Sequence, residues 1–136
     1  MKPLNDPIKE ILNRLDNIEN YELNKEIKIG KWIHGEDLYQ MTIGAQAPQV
    51  NKDGTLTERT YSIEDLNISN LKDCYIKEVW IRTGSQSLVP VPYLINNQNI
   101  IEVFYRTSNQ EVVIQSAVKE YSNCNMTIVL MYIKNN

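Results

Sequence analysis

One histidine, two cysteines and seven serines make up the usual stock of bases and nucleophiles in this chain. Nucleophilic catalysis needs such a group and a base within hydrogen-bond reach, so a single His34 limits what any of them could do. His34 sits in "WIHGEDLY" beside Gly35, between two alternating apolar runs. A tight hairpin turn at that point takes residues that tolerate positive φ, which both residues do. The sequence therefore predicts a turn residue and not a catalytic base. A metal centre would need further ligands at a matching spacing, and Cys74 and Cys124 do not supply them. No catalytic residue, metal ligand or cofactor is expected.

The acidic residues lead to the same expectation. "QVNKDGTLTERT", residues 49–60, can be laid on a calcium loop with Asn51, Asp53 and Gly54 in place. Its first position is Gln49 and its twelfth is Thr60, where carboxylates are required, so a Lys-Asp-Gly turn is the better reading. Glu102, Glu111 and Glu120 are spread through expected strands as solvent-facing residues. No glycine-rich phosphate loop occurs. The Asn-x-Ser/Thr matches at Asn67 and Asn125 carry meaning only in a secreted chain. Eight tyrosines against one phenylalanine form the remaining bias. Tyr suits half-exposed sheet faces and subunit contacts, and it also stacks on sugar rings. A carbohydrate-binding module is the alternative on that ground, with Trp80, Tyr93 and Tyr105 as its ligand-binding residues.

Totals exclude several classes. The chain has 136 residues, enough for one domain with a modest core. Its net charge is -3 from 14 basic and 17 acidic residues, and the signs are mixed along the chain. Long-range attraction to nucleic acid or to anionic lipid is not expected from that balance. No apolar run approaches the ~20 residues that span a bilayer, so no membrane insertion is expected. The opening "MKPLNDPIKEILNRLDNIEN" breaks its apolar residues with charges and prolines, unlike a signal peptide. Synthesis in a cytoplasm with reduced cysteines follows from these features.

Two regimes of periodicity position these residues. Up to residue 24, Leu4, Ile8, Ile11, Leu15 and Ile18 recur at spacings of 4, 3, 4 and 3. That is a heptad stripe, begun by Asp6 as N-cap and Pro7 as first helical residue. Arg14 at g and Glu19 at the next e could pair between helices, and Ile at d favours three or four strands over two. A short oligomeric coiled coil is expected, with an amphipathic helix lying on its own domain as the other outcome. From residue 25 the period becomes two, with strands expected at 27–33, 38–43, 58–63, 75–83, 100–106, 111–118 and 126–134. Within "CYIKEVWIRT", Tyr75, Lys77, Val79 and Ile81 should face one way, and Ile76, Glu78, Trp80 and Arg82 the other. "MTIVLMYI" is apolar on both faces and should be covered on both sides. "SIEDLNISNL" reads as a short helix or turn capped by Ser62. The fold class is mainly β, an antiparallel β-sandwich or barrel-like head over 25–136, preceded by the helix of 1–24.

"IGKWIHGEDLYQMTI", residues 29–43, resembles a segment recurrent in bacteriophage tail, fibre and other virion-appendage proteins, of the form G-[TK]-W-I-D-G-K-P-[IL]-Y-x-K-T. Gly30, Lys31, Trp32, Ile33, Gly35, Leu38, Tyr39 and Thr42 match it. His34 stands in place of Asp, Glu36–Asp37 in place of Lys-Pro, and Met41 in place of a basic residue. "DLNISNL", "CYIKEVWIRT", "VPVPYLI" and "MTIVLMYIK" then follow in a similar order. The resemblance implies a small β head module of a phage structural protein. Physically, Trp32 and Tyr39 would form a cross-strand aromatic pair in that hairpin.

Together these readings predict a non-enzymatic virion protein, a head-fibre, tail-fibre or decoration component that forms a homotrimer. Leu4, Ile8, Ile11, Leu15 and Ile18 would assemble it, and loops near 52–58, 84–88 and 107–110 would contact other virion proteins, capsid or tail, or a host-surface glycan or protein.

Overall fold

The computed structural model describes residues 23–84, 87–94 and 100–135, with Tyr93 and Leu94 described in backbone only. The expected heptad stripe of Leu4, Ile8, Ile11, Leu15 and Ile18, and the Arg14–Glu19 pair, lie outside these residues. The described chain is mainly β. It runs through β1 (Ile27–Lys31), β2 (Asp37–Gln46), β3 (Thr57–Ser62), β4 (Leu71–Arg82), β5 (Leu88–Val91), β6 (Tyr93–Leu94), β7 (Ile100–Arg106), β8 (Glu111–Ser116) and β9 (Asn125–Lys134). These strands form two antiparallel sheets, one ordered β1-β2-β9-β4-β5 and the other β3-β8-β7-β6.

Alternation of side chains decides which face of each strand meets the other sheet. Met41 and Ile43 of β2, Ile128 and Leu130 of β9, and Val79 and Ile81 of β4 turn toward Ile101 of β7 and Val112 and Ile114 of β8. Each fully buried aliphatic side chain of this kind contributes about 1.5–3 kcal/mol. The doubly apolar "MTIVLMYI" becomes β9, the centre of the five-stranded sheet. Leu130 and Tyr132 point into the core, while Val129 and Ile133 are buried on the opposite face.

Strict alternation in β4 does not survive. The register against β9 shifts between Ile76 and Glu78, so a bulge inserts one residue there. Cys74 and Ile76 face the core before the bulge, and Val79 and Ile81 face it afterwards. Tyr75 and Lys77 therefore lie on the outer side, not with Val79 and Ile81. A bulge reverses the side-chain parity of everything beyond it, and a period-two reading cannot anticipate that.

The strands β5 and β6 were not among the seven expected, because prolines punctuate "VPVPYL". Pro90 is tolerated because β5 is an edge strand bonded only to β4. "SIEDLNISNL" folds as one turn and not a helix. Ser62 Oγ accepts from Asp65 N at 3.0 Å, as a cap would. Asn67, at φ 59°, ends the turn with the paired bonds Asn67 N to Glu64 O and Ile68 N to Ile63 O. That pairing is the Schellman closure of a helix C-terminus, applied here after a single turn.

Candidate functional site

The β1–β2 hairpin that carries the sequence resemblance is also the most distinctive surface feature. Lys28 stands opposite Tyr39 and Gly30 opposite Leu38, so Ile29 is an extra residue in β1. Gly30 takes φ 151° at this bulge, a conformation open to glycine. Beyond it, Trp32 N donates to Glu36 O at 2.7 Å and Gly35 N donates to Trp32 O at 2.9 Å. The connection is thus a three-residue loop, Ile33–His34–Gly35, and not a two-residue His-Gly turn. Gly35 alone in that loop has positive φ, at 88°, which fits a turn closed by one left-handed residue. His34 is an exposed turn residue with no positive φ of its own.

Charges clamp the hairpin. Asp37 receives Lys31 and also Lys28, the latter at 3.2 Å, and these two amines hold its carboxyl below the usual range. Glu36 reaches across to Lys72 at the start of β4, at 3.3 Å. Its own backbone N–H, and then Lys72, lower its pKa. Trp32 does not pair with Tyr39. Its ring lies 5.2 Å from that of Tyr75 on β4, whereas Tyr39 stacks on Tyr132 at 5.8 Å inside the sandwich. The reason is topological. β1 is separated from β4 by β2 and β9, so the Trp32–Tyr75 contact requires the hairpin end to fold over those two strands. Ile33 is thereby left at the apex, 80% exposed.

The expected ligand-binding trio does not form one surface. Trp80 lies on the outer side of β4, opposite Thr127 and Pro90. Tyr105 packs against the core between the sheets. Tyr93 belongs to β6, and its side chain lies outside the described residues. The expected contact loops are also divided. Registers place 52–56 beside Ser116 at one end of β8 and 107–110 beside Glu111 at the other. The 107–110 turn shares its end of the molecule with Asn70 and Asn135, which line an open hollow of about 610 Å³ with Gln110. The hairpin apex stands at this same end, since Leu38 pairs with Ile133 and Glu36 with Lys72.

Two clusters escaped sequence reasoning because each depends on one carboxylate far away in the chain, Glu58 or Glu26. On the outer side of the four-stranded sheet, Arg106 binds Glu111 at 2.8 Å and Glu58 at 3.1 Å while lying over Phe104. On the same strand as Glu111, the fully buried Val113 pairs with Phe104 and Thr60. Near the edge of the other sheet, Tyr132 Oη donates to Glu26 at 2.6 Å, and Lys134 also binds Glu26. Burial pushes Glu26 up, but Lys134 and Tyr132 outweigh it and leave the carboxyl below its usual range. Tyr132 itself is pushed far up, by burial first and then by the Glu26 bond. Cys74 is likewise buried, and its thiol is pushed up to about 12. Neither group is ionised near neutrality, so neither is a ready nucleophile. Among the described residues, no three His, Cys, Asp or Glu side chains gather as a metal site. Comparison with known proteins returned no match to any family model, curated protein or solved structure.

Proposed function

We propose that the chain is a β head module of a virion appendage, displaying the β1–β2 hairpin apex to a neighbouring virion protein or a host surface. The observation that carries this reading is Ile33, held 80% exposed at the tip of a hairpin braced by Trp32–Tyr75 and Glu36–Lys72. Braced apolar tips suit insertion into a partner's pocket, because little freedom is lost on binding. The matched residues Gly30, Trp32 and Gly35 are the ones that build this tip, which supports carrying the resemblance from sequence to role. Display of this kind does not depend on the homotrimer expected from residues 4–18.

The test is particle association. An antibody against the chain should label virus particles banded by density from the source culture. Ile33→Asp should lower that signal at least tenfold while leaving the melting temperature within about 2 °C, as surface substitutions usually do. A chain found only in the particle-free fraction would overturn the proposal.

A further inference from the structure

The five-stranded sheet has an outer face that is too well buried for an open surface. Leu38, Gln40 and Thr42 of β2, with Val129 and Ile133 of β9, point away from the second sheet, yet all are buried. Thr42 is 3% and Val129 1% exposed, although both belong to the face turned away from the core. The folded-over hairpin accounts for the end near Leu38 and Ile133, and Lys77 Nζ reaches Gln40 Oε1 at 3.0 Å. Toward Thr42 and Val129, no other described strand lies over the face.

The entry of the chain points to what lies there. Asn24 N donates to Thr42 O at 2.8 Å, and Leu23 forms a parallel bridge with Thr42. The edge of β2 beyond that bridge is already filled by β1, so the residues before Leu23 must leave the sheet plane. On the inner side the second sheet is in the way. Leu23 has already turned outward, with its Cδ1 at 3.8 Å from where a Cβ on Gly44 would stand. A helix from Leu4 to Ile18 would run about 21 Å. The sheet's five strands, about 4.8 Å apart, present a face about 19 Å wide.

We propose that this outer face seats the chain's own N-terminal segment, with the stripe of Leu4, Ile8, Ile11, Leu15 and Ile18 laid across Thr42, Val129 and Trp80. The aliphatic stripe, laid on Val129 and the Trp80 ring beside Thr42, would remove apolar surface from water without a second chain. The inference concerns the fold of the chain and stands apart from the display reading.

The chain's two tryptophans, Trp32 and Trp80, both line this face, so their emission reports its cover. In the full chain, Ile11→Asp with Leu15→Asp should raise the acrylamide quenching constant at least twofold and shift emission to the red. Unchanged quenching in a folded variant would overturn the proposal. Should that variant unfold, a disulfide trap decides: Ile11→Cys and Thr42→Cys in a Cys124→Ser background, oxidised at micromolar concentration. A fast-migrating single-chain product supports the seat. A disulfide-linked dimer, or no product, overturns it, and the dimer would assign the face to a second copy.

Discussion

At the scale of single residues, Cys74 is buried with its thiol pushed up to about 12, so iodoacetamide at pH 8 should spare it in the native chain and label it once the chain is denatured. Intact-mass spectrometry checks this, and rapid native labelling at Cys74 would contradict its burial. Trp32 has the opposite character, because its ring does its work on the surface. Trp32→Ala removes the Tyr75 contact and releases the folded-over hairpin, and should destabilise by about 1–2 kcal/mol in urea unfolding. His34 was legible as a turn residue from its glycine neighbour alone. The partner of Trp32 was not, since a contact across two intervening strands leaves no trace in local spacing.

At the scale of elements, the seven strands read from period-two patterning all lie on described strands. Only some, such as β4, bury one face in alternation, while β1 is largely exposed and β9 is buried on both faces. What was hidden is where alternation breaks. The bulge in β4 shifts parity at Lys77, and the prolines around β5 mask an edge strand. β9 is central and β5 peripheral, so equal truncations should have unequal effects. Leu130→Ala should cost about 3 kcal/mol, and Leu88→Ala, half-exposed at the edge, less than about 0.5 kcal/mol. Equal losses would contradict the sheet order. Acid should act on the clamps that join elements. Glu26 and Asp37 have native pKa values below their ordinary 4.5 and 3.8, so their stabilisation is present above those values. It is lost as pH falls through the lowered native values. Melting temperature should thus hold from pH 7 to about 5 and fall toward pH 3. A flat profile down to pH 3 would mean these pairs do not contribute.

At the scale of the whole molecule, one end carries the hairpin apex, the 63–67 turn and the 107–110 turn, while 52–56 and the residues leaving β4 occupy the other. The proposed display role would use this asymmetry, with one end turned toward a partner. Its sheet-covered flank is the other demand, and the N-terminal stripe is the proposed cover. The sequence made the stripe plain but not its partner: an apolar seam looks the same whether it meets another helix or a sheet. Residues 4–18 therefore separate two molecules, a self-contained chain and a trimer joined by helices. The most direct discrimination is a methyl NOE spectrum of the full chain, selectively labelled at Ile, Leu and Val. We expect cross-peaks from Ile11 and Leu15 to Val129 that persist on dilution and are absent between differently labelled chains. Cross-peaks from those methyls only to the same segment of another chain would contradict the seat and restore the helical seam.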